Sequence, residues 1–256
     1  MALTSASGQQ LSADDIAHRV QDRDTGTDSR STLRMKLFDR HDRARERILT
    51  LIALRGGKPG TPDGDRLLIR FTYPADIRGT GFLVWEHPKA EDERFLYLPS
   101  LSRVRRIAGS ETQESFVGSD FTYEDIGGRE FDEYTYQVVD ERATWTPSGG
   151  AAQPAWRLES RRKDGAAEFP RVQSLVLKDS FVVVQADIYN RRNEKQKVYT
   201  VRRLQQVTGI WTVMDAEMTN ALEKSRTELL TESIAYNVGL KEADFSRREL
   251  ERAVAR

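Results

Sequence analysis

Three acidic residues, Asp120, Glu124 and Asp125, lie close together and could bind a hard cation through their carboxylate oxygens. Their spacing differs from the Asp-x-Asp-x-Asp-Gly pattern of a calcium-binding loop. In the alternative interpretation, Asp120 accepts hydrogen bonds from backbone N–H groups of a turn, and Glu124 or Asp125 pairs with an arginine. We favour this alternative, and we expect neither a metal nor a cofactor.

Three arginines, Arg103, Arg105 and Arg106, follow a strand-like segment that contains two aromatic residues, a combination that could contact nucleic acid. The chain carries 40 basic and 40 acidic residues, and it has no second basic patch, so we expect no nucleic-acid partner. Arginine binds carboxylates in a bidentate geometry. We therefore predict that Arg105 or Arg106 pairs with Asp120 or Asp125 and fastens a covering loop to the strands.

No set of residues has the spacing of a known catalytic centre. The histidines, His18, His41 and His87, are isolated from one another, and no His-x-x-x-His or Glu-x-x-His pair is present. The sequence lacks a Gly-x-Ser-x-Gly elbow, and its 256 residues include no cysteine, which excludes disulfides and thiolate chemistry. The sequence therefore predicts a protein that is not an enzyme.

Two segments have the pattern of a helix start. In residues 11–16, Ser12 can cap the helix while Asp15 occupies the third helical position, and residues 245–250 repeat this arrangement around Ser246. We predict a short helix at each end of the chain. Residues 1–10 lack the basic and apolar parts of a complete signal peptide, so we interpret them as a disordered tail or a signal-peptide remnant.

Between these helices the apolar residues alternate with a period of two, which predicts roughly ten or eleven strands. Residues 67–73 show the pattern clearly, and residues 172–177 and 181–188 form a hairpin pattern around Lys178. Residues 22–31 and 145–155 are predicted loops. No shift in composition divides the chain, so residues 11–256 are predicted to form one domain. No apolar run approaches the roughly 20 residues of a membrane helix.

Consecutive strands of this kind form antiparallel meanders. Several strands, including residues 48–54 and 79–85, are apolar on both faces, so one face must pack against something other than water. We predict a mainly β (α+β) fold, in which one strongly curved antiparallel sheet forms an open half-barrel covered by helices and loops.

A set of motifs spread from about Leu33 to Leu250 carries a family resemblance. The central part is Tyr97-Leu98-Pro99, Arg105-Arg106, and the Ser-Phe-x-Gly-Ser-Asp-Phe-x-Tyr-Glu-Asp run from Ser115 to Asp125. Further pieces are Phe71, Pro74, Asp76, Gly79 and Thr80 upstream, and Gly209, Trp211, Met218, Asn220, Thr227, Phe245 and Ser246 downstream. The chain resembles the LolA-like outer-membrane lipoprotein-sorting proteins, in a branch distinct from LolA itself. This resemblance also implies a half-barrel with a covered concave face.

The resemblance implies a periplasmic carrier that holds lipoprotein acyl chains, or another lipid, in a hydrophobic trough for transfer to the outer membrane. Members of this branch often occur beside RND-type exporters, which implies an inner-membrane RND-type transporter and an outer-membrane acceptor as partners. The alternative is a non-catalytic envelope sensor or scaffold that partners such an exporter.

Aromatic residues and methionines suit an irregular apolar ligand. The predicted trough residues are Met35, Leu37, Ile69, Phe71, Phe82, Val84, Tyr97, Phe116, Phe121, Trp211, Met214 and Met218. Any one of them could instead belong to an ordinary core. The predicted lid, which includes both flanking helices, is fastened by Arg105, Arg106, Ser119, Asp120, Tyr123 and Asp125.

Overall fold

The capping pattern at Ser12 begins the first helix of the computed structural model, which describes residues 10–58 and 60–252. The Ser12 hydroxyl accepts a hydrogen bond from the Asp15 N–H at 3.1 Å, and the Asp15 carboxylate accepts one from the Ser12 N–H at 3.0 Å. The helices are α1 (Ala13–Gln21), α2 (Tyr123–Gly127) and α3 (Arg247–Glu251). Both terminal helices were predicted, whereas α2 was not. Of the predicted tail, residues 1–10, all but Gln10 lie outside the described residues.

The strands occupy most of the remaining chain. They are β1 (Asp28–Phe38), β2 (Ala44–Leu54), β3 (Arg66–Tyr73), β4 (Gly81–Trp85), β5 (Glu93–Leu98), β6 (Arg103–Ile107), β7 (Tyr134–Asp140), β8 (Thr144–Trp145), β9 (Gln153–Arg162), β10 (Arg171–Leu177), β11 (Val183–Tyr189), β12 (Lys195–Val207), β13 (Ile210–Asn220) and β14 (Ser225–Tyr236). Their number exceeds the prediction because β6 and β8 are too short for a clear alternation. In addition, β1 begins inside the predicted loop 22–31.

All the strands belong to one antiparallel sheet with the order β6-β5-β4-β3-β2-β1-β14-β13-β12-β11-β10-β9-β7, and β8 pairs with β9. The strands β1 to β6 form what we call the first arm, and β7 with β9 to β14 form the second arm. The arms join where β1 pairs with β14. The outermost strands, β6 and β7, do not pair with each other, so the sheet is an open, curved half-barrel, and the predicted fold is confirmed.

Charged side chains cover the convex face at the middle of the sheet. Arg34 on β1 forms ion pairs with Glu46 and Glu232 on its two neighbouring strands. Arg202 similarly bridges Glu217 and Glu228. Because residues on one strand alternate between faces, these pairs leave Leu33, Met35 and Leu37 of β1 on the concave side.

The chain between the two edge strands covers the concave face of the first arm. This covering segment, residues 108–133, contains α2 and has to pass from β6 at one edge of the sheet to β7 at the other. Its Phe116 and Tyr123 rings pack on Phe82, each with its ring centre 5.4 Å from that of Phe82. The concave face of the first arm is therefore filled by side chains of the covering segment.

The two terminal helices lie on opposite faces of the sheet. Helix α1 buries Ile16 and Ala17 against Leu158 and Val176 on the concave side of the second arm. Residues preceding and within α3 pack instead on the convex side of the first arm, in a cluster of Leu54, Leu68, Leu83, Phe95, Phe245 and Leu250. The prediction that the C-terminal helix forms part of the lid is therefore wrong.

No helix within residues 10–58 and 60–252 has the length and apolar character needed to cross a membrane.

Candidate functional site: a cavity between the two covers

A cavity of about 650 Å³ remains on the concave face, between α1 and the covering segment. Its apolar wall comes mainly from the second arm. Members of this wall are Leu158, Val176, Val183, Ala186, Ile188, Met218 and Leu229. Phe121 and Ile126 of the covering segment, and Ala17 and Val20 of α1, close its sides.

One end of the cavity is polar and holds the C-terminal end of α1. Gln21 donates to the Glu86 carboxylate at 3.5 Å, and that carboxylate also accepts a hydrogen bond from the Asp65 N–H at 3.0 Å. Arg55 donates to the Gln21 carbonyl at 3.1 Å. Arg23, immediately beyond the helix, lines the cavity and donates to the Trp211 carbonyl at 3.2 Å. These bonds join α1 to both arms.

A second polar group lies where the covering segment meets β7 and β9. Glu124 accepts hydrogen bonds from the Tyr134 hydroxyl and from Arg162, the latter at 2.9 Å. Burial raises the pKa of Tyr134, so its hydroxyl stays protonated and able to donate. Asp125 pairs with Arg129 at 2.9 Å. The prediction that Glu124 or Asp125 pairs with an arginine is confirmed, and within the described residues no cluster of His, Asp or Glu could hold a metal.

The predicted arginine latch is wrong. Arg105 pairs with Glu111, at 2.7 Å, while Arg106 forms no ion pair with any described residue. Because β6 is an edge strand, Arg105 is exposed, and it pairs with the Glu111 carboxylate in the turn that follows β6. Asp120 lies on the other side of the covering segment, buried against the centre of the sheet.

Asp120 is held by three residues of the second arm. Its carboxylate accepts hydrogen bonds from the Ser225 hydroxyl and from the Thr227 hydroxyl, the latter at 2.7 Å. Its N–H donates to the Thr227 oxygen at 3.0 Å, and its carbonyl accepts from the Lys197 ammonium at 2.8 Å. The covering segment is therefore fastened through Asp120, but to hydroxyls and a lysine.

Sequence reasoning assigned no role to Lys197. A signal was present, since Lys197 alternates with Tyr199 and Val201 and so shares their buried face. Thr227 was noticed only as part of a family motif. Helix α2 also had a signal, because Thr122 and Asp125 have capping-box spacing and form that box. Of the predicted lid residues, Ser119 and Tyr123 are buried in the covering segment, and their role as a lid stays a prediction.

The predicted trough residues divide between cavity and core. Val84, Phe121 and Met218 line the cavity. Five others, all on concave-facing strand positions, are packed under the covering segment: Met35, Leu37, Ile69, Phe71 and Phe82. A sixth, Phe116, belongs to the covering segment and packs on Phe82. Lipid binding by these nine residues stays a prediction.

The remaining three trough residues do not line the cavity. Tyr97 packs with Phe95 on the convex face beneath the C-terminal residues, because the alternation of β5 points Leu96 inward instead. Trp211 packs against a cluster that includes Trp145 and Leu175, and Met214 is buried but is not among the residues that line the cavity. Placing Tyr97 in the trough was wrong, whereas lipid binding by Trp211 and Met214 stays a prediction.

Comparisons with known proteins agree on one fold. Residues 63–252 match a family model described as "Uncharacterized protein". The structure of a domain from Vibrio parahaemolyticus, named as an outer membrane lipoprotein-sorting protein domain, is 29% identical with a TM-score of 0.81, over 94% of this chain and 98% of that domain. No curated protein matches the sequence.

Two further solved structures place the chain more closely. A DUF1329 family protein from Desulfovibrio piger is 31% identical with a TM-score of 0.81, covering 93% of this chain and 97% of that one. A LolA superfamily protein from Nitrosomonas europaea shares the fold, with a TM-score of 0.67 at 16% identity, over 94% of this chain and 100% of that one. The chain therefore belongs to the DUF1329 family, and it shares its fold with the LolA superfamily protein.

Proposed function

We propose that this protein is a periplasmic carrier that binds an acyl chain of a lipoprotein, or of another lipid, in the cavity between α1 and the covering segment. The observation that carries the proposal is the cavity itself, because a fold that served only as a scaffold could fill this space with its own side chains. Its volume of about 650 Å³ lies within the range of about 300–1,000 Å³ that is usual for small-molecule sites.

The apolar wall supplies the energy for binding. Each CH₂ group that moves from water into such a wall contributes about 0.8 kcal/mol. Met218 on the floor of the cavity has a flexible side chain that adapts to ligands of different shape. Neither feature demands a particular lipid, so selectivity has to come from polar groups.

Transfer requires partners on both sides of the periplasm. In this proposal an RND-type transporter of the inner membrane delivers the lipid, and an acceptor at the outer membrane receives it. The protein catalyses no reaction on its cargo.

The proposal can be tested by native mass spectrometry and lipid extraction of the purified protein. We expect a bound lipid, released on denaturation. Ala186 lines the cavity wall, so Ala186→Phe should fill part of the space and reduce the bound fraction. The matched control is Ala44→Phe, because Ala44 is exposed on β2.

A wild-type protein that carries no lipid, and binds none when exposed to lipid vesicles, would count against a carrier. It would favour the alternative of a sensor or scaffold. Equal lipid content in the two phenylalanine variants would show that lipid binds somewhere other than this cavity.

A further inference from the structure

The carboxylates that line the cavity have partners within the protein, whereas one of the arginines does not have a carboxylate partner among the described residues. Of its five carboxylates, four pair with arginines: Asp65 with Arg55, Asp92 with Arg94, Glu124 with Arg162 and Asp125 with Arg129. The fifth, Glu86, accepts hydrogen bonds from the Asp65 N–H and from Gln21. The acidic groups of the wall are therefore already satisfied within the protein.

The arginines of the cavity wall, unlike its carboxylates, do not all have a charged or hydrogen-bonding side-chain partner among the residues that the structure describes. Arg129 pairs with Asp125 at 2.9 Å, and Arg66 pairs with Glu242 at 3.5 Å. Arg23 forms no ion pair with any carboxylate of residues 10–58 and 60–252, and its hydrogen-bond acceptor is a backbone carbonyl, that of Trp211. One cation of the cavity wall thus has no anionic partner in the described part of the protein.

The surroundings of Arg23 make an unpaired charge costly. The Arg23 side chain is half-buried, and this burial lowers the pKa of its guanidinium. A buried charge without a partner is unfavourable, and an anion that enters the cavity would supply the missing partner. Arginine has five N–H donors, so the one bond to the Trp211 carbonyl leaves others free for a carboxylate or phosphate.

A second donor faces the same space. Tyr199 lines the cavity, and its hydroxyl makes no hydrogen bond to any described residue. Burial raises the pKa of Tyr199 to about 12, with the charge of Arg23 acting in the opposite direction. The hydroxyl therefore stays protonated and can donate to an anion beside Arg23.

The apolar wall lies next to these donors. Val213, Leu229 and Met218 line the same cavity as Arg23 and Tyr199. We infer that the cavity takes an anionic amphiphile, whose carboxylate or phosphate head binds Arg23 and Tyr199 while its acyl chain lies along the second arm. This inference rests on the proposed function, because it specifies the ligand of the same cavity.

The test measures the affinity of purified, delipidated protein for three single-chain probes: hexadecanoate, hexadecyl phosphate and hexadecan-1-ol. Their displacement of a fluorescent apolar probe gives the three dissociation constants. We expect at least one anion to bind about tenfold or more tightly than the alcohol, as a hydrogen-bonded charge pair provides. The stronger of the two anions identifies the head group, and inorganic phosphate alone should displace nothing.

Arg23→Gln should bring the anions and the alcohol to nearly equal affinity without weakening the alcohol. Arg45→Gln is the charge-matched control, since Arg45 is exposed on β2 and forms no ion pair with a described residue. Circular dichroism checks that each variant is folded. Tyr199→Phe keeps the ring and should lose part of the preference, and it supplies the test if Arg23→Gln does not fold.

Several results would overturn the inference. Equal affinity of the wild type for all three probes would overturn it and leave the carrier proposal intact. The inference would also be overturned if folded Arg23→Gln kept the preference for anions. An unchanged preference in Tyr199→Phe would have the same consequence. Displacement by inorganic phosphate as strong as by hexadecyl phosphate would indicate a site for small anions. If none of the three probes binds, the carrier proposal fails together with this one.

Discussion

The substitution Thr227→Val should loosen the covering segment and destabilise the protein. The Thr227 hydroxyl has no exposure to solvent, donates to the Asp120 carboxylate at 2.7 Å and accepts from the Asp120 N–H at 3.0 Å. Valine has nearly the same shape but can form neither bond. The Asp120 carboxylate would keep only the Ser225 hydroxyl as a donor from the second arm.

The expected loss follows from these two bonds. A hydrogen bond to a charged group contributes about 1.5–3 kcal/mol, and a buried N–H left without an acceptor costs about 1–3 kcal/mol. Since the segment can relax and admit water, we expect the free energy of unfolding to fall by about 2–4 kcal/mol. Urea denaturation followed by tryptophan fluorescence measures this quantity, and hydrogen exchange at the Asp120 amide reports the covering segment directly.

Thr200→Val serves as the control. Thr200 is half-buried on β12, and its hydroxyl bonds to no described residue, so the change should alter stability by less than about 0.5 kcal/mol. If Thr227→Val and Thr200→Val unfold at the same urea concentration and Asp120 exchanges at its wild-type rate, the reasoning about this cluster is refuted.

Three further predictions concern other parts of the chain. Arg162→Met should lower the free energy of unfolding by about 3–5 kcal/mol, because it leaves the buried Glu124 carboxylate without its cation; an unchanged urea midpoint would contradict this. The hydrogen bond from Arg43 lowers the pKa of Asp39 to about 2 from 3.8. Asp39 therefore favours the folded state above pH 3.8, and this contribution is lost as the pH falls towards 2. An NMR titration should give that midpoint, and Arg43→Gln should raise it; equal midpoints would disprove the assignment. Phe245→Ala should destabilise by about 3–5 kcal/mol but leave the lipid affinity of the folded protein unchanged, since Phe245 packs on the convex face.

The fold could be predicted from the sequence because the strands are long and alternate clearly. In β1, Leu33, Met35 and Leu37 alternate with charged residues, and the structure buries these three. Capping patterns likewise located both terminal helices. Alternation is not sufficient where both faces are apolar: Phe95 and Tyr97 alternate with Leu96 and Leu98 in β5, but this pattern could not tell that the face with the two aromatic residues is convex.

The site was harder to predict because it depends on contacts distant in sequence. Asp120 could be identified as a residue that holds a turn, yet its partners Lys197 and Thr227 follow only once the register of β12 and β14 is known. The cavity depends on which part of the concave face the covering segment fills. Phe116 of this segment packs on Phe82 of the first arm, whereas Ala186 of the second arm lines open space, and no local pattern encodes that comparison.

The path of residues 108–133 would restrict how the proposed ligand reaches the interior. One end of this segment continues into β6 and the other into β7, so it is attached to both edges of the half-barrel. It therefore cannot open by rotating about one end alone. Any displacement of the covering segment acts on both edge strands, β6 and β7. The distance between β6 and β7 is therefore linked to the position of the covering segment, and a bulkier ligand in the proposed site would displace both edge strands.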